Sequence, residues 1–194
     1  MSTIVSASRN SNALRPLYQS IRSNFEHLDG HLKLFTPLQR RLYRTAQEIS
    51  GKSVRKYVTD LFANRLERHK VHLECTEAFL AATVECYPST LYPAIINLVD
   101  NGLFWLRDFK GERKMRFDVS SADIIVANNG PPIEERDQQR IFERGFSRRP
   151  EGRGLGLFIS SRALEAEKMY LHLEPPPAGF TVAFHITVPS LKLH

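Results

Sequence analysis

The sequence predicts an α+β fold: a two-layer sandwich with a mixed sheet covered by helices on one face, preceded by a helical hairpin. Three observations carry this. An apolar stripe with helical spacing fills the first third. From Val71 onward, short alternating runs replace it. Those runs are separated by single helices opened by proline or glycine, so strands and helices intermix within one unit.

The elements follow in order. MSTIVSASRNSN, residues 1–12, is small and polar and is expected to be a disordered tail. Leu14, Leu17, Ile21, Phe25, Leu28, Leu32 and Phe35 recur at steps of three and four, close to a coiled-coil seam. Pro37 interrupts that stripe. After the turn signal Ser50-Gly51, Val54, Tyr57, Val58, Leu61, Phe62 and Leu66 form a second stripe. Residues 13–70 therefore read as a helical hairpin that cannot bury both stripes alone. A second copy of the chain, making a four-helix bundle, is the natural completion, and packing onto the following domain is the competing one.

Residues 71–194 form the second domain. Val71–Cys75 and Thr83–Cys86 read as strands, and a helix follows Pro88 with Ile95, Ile96, Leu98, Val99 and Leu103 as its apolar face. Met115–Val119 and Ile124–Ala127 read as a hairpin. Glu134 to Phe142 and Leu155 to Glu165 read as helices, and Tyr170–Leu173 with Thr181–Val188 as a closing hairpin around Pro-Pro-Pro-Ala-Gly.

Composition narrows the class. At 42% hydrophobic and 25% charged residues the 194-residue chain is globular. Two cysteines, Cys75 and Cys86, exclude a disulfide framework and read as buried thiols. No apolar run approaches the roughly 18 residues of a membrane span. A cytoplasmic location is expected, for this chain or for this piece of a longer receptor. The charge of +6 is uneven: residues 13–72 hold 12 Lys and Arg against 5 Asp and Glu. That excess is either the solvated face of long helices or an attraction to something acidic.

The chemistry lies further on. Asn97 and Asn101 are four apart on the predicted helix, so their side chains point the same way. Each offers a neutral carbonyl oxygen, which suffices for Mg²⁺ when a triphosphate supplies the negative charge. Asn128-Asn129-Gly130 ends a strand; Asn128 is placed to meet the edge of a base, and Gly130 lets the backbone turn beneath it. Gly152-Arg153-Gly154-Leu155-Gly156 opens a helix whose first amides suit phosphate. Arg148, Arg149 and Arg153 can neutralise its oxygens. No GxxxxGK[ST] phosphate loop occurs.

These motifs resemble those of the GHKL ATPase superfamily, whose Bergerat-type fold is shared by sensor histidine kinases, gyrase, mismatch-repair ATPases and the ninety-kilodalton chaperones. Asn97-Leu98-Val99-Asp100-Asn101 is similar to the N box, and Asn128 to Ile133 to the first glycine box. Ile141 to Phe146 resembles the F box, Gly152 to Leu157 the second glycine box, and Gly179 to Pro189 the closing strand. The resemblance implies ATP and Mg²⁺ as cofactors. Asn97 and Asn101 would be the metal ligands, and Asn128, Gly130, Arg148, Arg149, Gly152, Arg153, Gly154, Leu155, Gly156 and Thr181 the nucleotide contacts.

The histidine-kinase-like branch fits best, because the water-activating glutamate of the hydrolytic branches is Asn97 here. That implies phosphoryl transfer to a histidine, or slow hydrolysis, in signal transduction, with a homodimer through residues 13–70 and a receiver protein as partner. His31 stands before Pro37 and His27 before Asp29, and these are the candidate phospho-acceptors, though neither spacing matches the family pattern. The alternative is a non-kinase, nucleotide-switched interaction module whose basic hairpin engages an acidic protein or, less favoured, a nucleic acid. Four departures stand out. Asn128 replaces an aspartate, which implies relaxed adenine specificity. Pro132 replaces a glycine, the lid from Phe146 to Gly152 is short, and Leu103-Phe104-Trp105 follow the N box where a basic residue is usual.

Overall fold

The computed structural model describes residues 45–150 and 152–193. The expected tail, the first helix of the hairpin, His27 and His31 lie outside the described residues.

The chain runs β1 (Gln47–Ser50), α1 (Gly51–Arg68), β2 (Val71–Cys75), α2 (Glu77–Ala81), β3 (Thr83–Cys86), α3 (Pro88–Leu106), β4 (Arg113–Ser120) and β5 (Asp123–Asn128). Then come α4 (Glu135–Gln138), a 3₁₀ turn at Arg140–Phe142, α5 (Gly156–Glu165), β6 (Tyr170–Leu173) and β7 (Val182–Thr187). The main sheet has the order β2-β4-β5-β7-β6. Its β2–β4 pair is parallel and the other three pairs are antiparallel, so the sheet is mixed as expected. A parallel pair needs a long crossover, and here it carries α2, β3 and α3.

Register decides what each face holds. Met115, Asn128 and Val182 lie side by side on β4, β5 and β7, followed by Phe117, Val126 and Phe184. All six are buried. This face meets the helices: Phe79 of α2 stacks on Phe117 at 5.1 Å, and Phe142 meets Phe184 edge-on at 6.4 Å. The interior of α3 supplies Leu91, Ile95, Leu98, Val99, Leu103 and Leu106, each 1% exposed or less. On the opposite face Phe180 folds over Ile125, Ala127 and Ala183, and the Arg116 guanidinium lies 4.6 Å above its ring.

The second apolar stripe forms α1, capped where the turn signal stood: the Ser50 hydroxyl accepts from Ser53 N at 3.2 Å. Arg65 and Arg68 in the last turn complement the helix dipole. Val54, Val58 and Phe62 are buried within the same compact unit as the sheet. For this stripe the competing completion, packing onto the domain, is the one observed. Two elements differ from expectation. Gln47–Ser50 is a strand paired antiparallel with β3, and the helix expected from Glu134 to Phe142 is a single α turn followed by a 3₁₀ turn. The tightening there puts Phe142 against Phe184.

Candidate nucleotide site

Asn97 and Asn101 project from the middle of α3, both half-buried, on the side facing α5 and the loop before it. The Asn97 amide donates to Ser160 Oγ at 2.8 Å and to the Gly156 carbonyl at 3.3 Å. With both N–H groups spent on α5, Oδ1 is the atom that Asn97 offers to a cation. Gly156 sits directly beneath: a Cβ there would stand 3.6 Å from Asn97. Leu155 precedes α5 without any side-chain cap, which leaves the first-turn amides of this ten-residue helix available to an anion. The paired amides and the glycine-opened helix, predicted from motifs 59 positions apart, are therefore adjacent in space.

The lid bends back across this site. Gly145 N donates to the Gly154 carbonyl at 3.0 Å and closes the loop between them. Gly154 has φ +62°, and a Cβ on it would lie 2.3 Å from the Gly145 backbone, so the crossing requires glycine. Arg148 makes a two-pronged bond to the buried Asp137, at 2.8 and 3.0 Å, and ties the lid to α4. Its hydrogen bonds, and then its charge, hold the Asp137 carboxyl below its ordinary range. Arg153 is exposed on the lid.

Arg149 lies at the centre. It donates to Asn101 Oδ1 at 2.9 Å and to Asp100 Oδ2 at 2.7 Å, and its guanidinium stacks 4.4 Å above the Phe104 ring. The lid thus returns a cation to the place beside the N box where a basic residue was missing, over the aromatic ring that replaced it. In this state Arg149 holds the oxygen that a metal would take. Arg65 of α1 grips the other oxygen of Asp100 at 2.6 Å. Burial pushes the Asp100 carboxyl up, but the Arg149 and Arg65 charges outweigh it and hold the group below the usual carboxylate range. A depressed folded-state pKa contributes stability that is present above the unfolded value of about 3.9 and lost as pH falls through the folded one. Asp100→Asn is accordingly expected to flatten the acid limb of a plot of Tm against pH below about pH 4. Parallel acid limbs for both proteins would contradict this network.

At the other end, Asn128 is buried and its Oδ1 accepts from Gly130 N at 3.0 Å. The amide NH₂, with the second lone pair of that oxygen, is what Asn128 has left to meet a base. The Thr181 hydroxyl donates its one proton to the Gly130 carbonyl, with the Asn128 carbonyl also within reach, and its backbone N donates to the Asn128 carbonyl at 3.0 Å. Thr181 in this state stitches the turn at Gly130 to the start of β7. Asn129 is likewise committed to the β4 edge, accepting from Lys114 N at 2.7 Å and donating to the Glu112 carbonyl at 2.8 Å.

Sequence reasoning did not assign Asp100, Arg65, Asp137 or Ser160. Asp100 stood inside the quoted motif, but its two arginine partners lie 35 and 49 residues away, beyond any local spacing rule.

Comparison with known proteins identifies the family and the fold. The family described as histidine kinase-, DNA gyrase B-, and HSP90-like ATPase matches residues 86–191. The HEF_HK domain matches residues 1–44. Sensor protein ChvG of Rhizobium meliloti is 35% identical over 99 residues, covering 47% of this chain and 17% of its own length. The signal transduction histidine-protein kinase/phosphatase MprB of Mycolicibacterium vanbaalenii is 27% identical over 142 residues, covering 69% and 29%. The chain thus spans less than a third of either relative. The fold matches that of histidine kinase ThkA in its complex with response regulator protein TrrA, with a TM-score of 0.63, 21% identity, and coverage of 91% of this chain and 51% of that one. No helix among the described residues is long and apolar enough to cross a membrane. With the family matched over more than half its length, the chain belongs to the histidine kinase-, DNA gyrase B- and HSP90-like ATPases and carries an ATP-binding catalytic domain of the histidine kinase type.

Proposed function

We propose that this chain is the nucleotide-binding and phosphotransfer portion of a signalling histidine kinase, taking Mg·ATP and passing its γ-phosphoryl group to a histidine. The observation that carries this reading is Asn97. It occupies the helical position where a carboxylate would activate water, and its amide is locked onto Ser160 and Gly156. An amide held in that way cannot take a proton from water. Phosphoryl transfer instead depends on positioning and charge stabilisation.

The residues fit that role. Asn101 and Asn97 would present carbonyl oxygens to Mg²⁺, which would supply charge neutralisation for the phosphates. The uncapped first turn of α5, with Gly152, Gly154, Leu155 and Gly156, would receive phosphate oxygens, with Arg148, Arg149 and Arg153 on the lid above. Nucleotide entry requires Arg149 to leave Asn101 and turn to the phosphates. Phe104 then loses its covering cation. Asn128 and Gly130, with Thr181 behind them, would form the base end. His31 or His27 would accept the phosphoryl group in a dimer whose seam is the first stripe of residues 13–70, the second being buried on the domain. The TrrA complex of ThkA supports a receiver protein as the downstream partner. Free thiols at Cys75 and Cys86, with ATP as substrate, support a cytoplasmic setting. Burial first, then the Glu167 charge, pushes the Cys86 thiol up to about 12, which fits an inert buried residue.

Incubation of the chain with γ-labelled ATP tests the reading. Acid-labile, alkali-stable label that disappears in His27→Gln/His31→Gln is expected. Label released only as inorganic phosphate would overturn it. The base end makes a separate prediction. Asn128 offers its NH₂, a donor suited to a guanine carbonyl, so ATP and GTP should bind within about threefold of each other. Asn128→Asp should raise the preference for ATP by about tenfold, or roughly 1.4 kcal/mol. An unchanged ratio in competition titrations would count against this placement of the base.

A further inference from the structure

The sheet face turned away from the helices carries a second constellation. Asp123 opens β5, His185 lies near the end of β7, and His172 lies in β6. Register brings them together: His172 is directly opposite His185, and Asp123 is opposite Thr187, two residues along the same face from His185. One ligand atom from each residue lies within 4.8 Å of the others. His185 Nδ1 is 3.1 Å from Asp123 Oδ2, and the imidazole centroids are 5.6 Å apart. Thr187 donates a further hydrogen bond to Asp123, and Glu174 lies 3.6 Å from His172 Nε2. His185 is only 9% exposed, whereas the His172 side chain is open at 36%.

We propose that Asp123, His172 and His185 form a binding site for a divalent transition-metal ion, with Zn²⁺ the best-fitting member. Two imidazole nitrogens and one carboxylate oxygen are a borderline-soft donor set that suits Zn²⁺ and not Mg²⁺ or Ca²⁺, which take oxygens. Tetrahedral coordination at about 2.0–2.1 Å separates donors by roughly 3.3 Å, so small rotations of two side chains bring the three into position. A single carboxylate cannot satisfy both rings. His185 Nδ1 and Asp123 Oδ2, 3.1 Å apart, already stand at the spacing of two ligands of one ion, and a ring nitrogen of His172 is the third donor. Thr187 and Glu174 are placed as the outer partners that orient such ligands. Strand-borne ligands at fixed register also make a rigid site. Asp123 and Asn128 stand at opposite ends of β5, about 17 Å apart at strand rise, so this ion is separate from the one that accompanies nucleotide. An ion here would staple β5, β6 and β7 at the end distant from the base.

The test is a Co²⁺ titration of the full chain after chelator treatment, in excess Mg²⁺, followed by Zn²⁺ competition. About one equivalent should bind with the visible bands of tetrahedral nitrogen and oxygen ligands and without sulfur-to-cobalt charge transfer. Equimolar Zn²⁺ should bleach those bands and raise Tm by several degrees. His185→Ala can perturb the buried strand, so the half-exposed His172→Ala is the deciding variant. It should keep the native circular dichroism and lose at least 100-fold in Co²⁺ affinity. His27→Ala/His31→Ala should leave the titration unchanged. Failure of the wild-type chain to bind, sulfur charge-transfer bands, or equal affinity in folded His172→Ala would each overturn the proposal.

Discussion

Asn101→Ala is expected to weaken Mg·ATP binding at least 100-fold, which corresponds to about 2.8 kcal/mol. It should do so while leaving the domain folded. The affinity loss follows from the single oxygen that Asn101 contributes beside the first turn of α5: Mg²⁺ keeps few protein ligands, so removing one strips the link between protein and phosphates. The small effect on stability follows from the surroundings. Asn101 is half-buried, and its recorded bond is to Arg149, which retains Asp100 and the Phe104 ring. A near-surface truncation of that kind costs roughly 0.5 kcal/mol or less, about 1–2 °C in Tm for a domain of this size. Calorimetric titration beside a melting curve separates the two effects. Wild-type affinity in the variant would remove Asn101 from the metal site, and a collapse in Tm would make it a structural residue instead.

The second large effect lies far from the nucleotide. Gly51→Ala should cost about 3 kcal/mol or more, lowering Tm by roughly 6–12 °C. Gly51 begins α1 where that helix meets the turn after α2: its N–H donates to the Ala82 carbonyl at 3.0 Å, and an added Cβ would sit 1.8 Å from the Phe79 carbonyl oxygen. The obstacle is backbone, so no rotamer change relieves it. Relief requires α1 to move off α2, which exposes Val54, Val58 and Phe62. If α1 instead belonged to a separate hairpin, the substitution would leave the melting of the sheet domain unchanged. A Tm within 2 °C of wild type would therefore contradict the packing described here.

The fold was legible where chemistry repeats locally. β4 alternates, β5 and β7 are short, largely apolar runs, and α3 carries an apolar face between Pro88 and its end. The glycine motifs were legible because close backbone approach leaves few alternatives to glycine, as at Gly154. β1 was not: Gln47–Ser50 is four residues long, only Ile49 in it is buried, and its partner is Thr83–Cys86. The stripe of α1 was visible while its destination was not, because amphipathicity names a buried face without naming what buries it. The same limit hid the ion-pair network. Arg65, Asp100 and Arg149 look like surface charges in sequence and converge only when α1, α3 and the lid are folded together. Nor could spacing foresee that Thr181 closes on Gly130, a bond formed across the end of the sheet, whereas the bond from Gly130 N to Asn128 Oδ1 is a local turn of two residues.

One titration tests most directly whether Mg·ATP sits between the paired asparagines and the glycine turn. The full chain is titrated with ATP in Mg²⁺ and again in excess chelator, while the amide resonances of Gly152, Gly154 and Gly156 and the side-chain amides of Asn97 and Asn101 are followed. One saturable site is expected, at least tenfold weaker without the metal, with all five signals shifting together as Arg149 leaves Asn101. Saturable binding that leaves the Asn97 and Asn101 amides unmoved, or no binding at millimolar ATP, would contradict it.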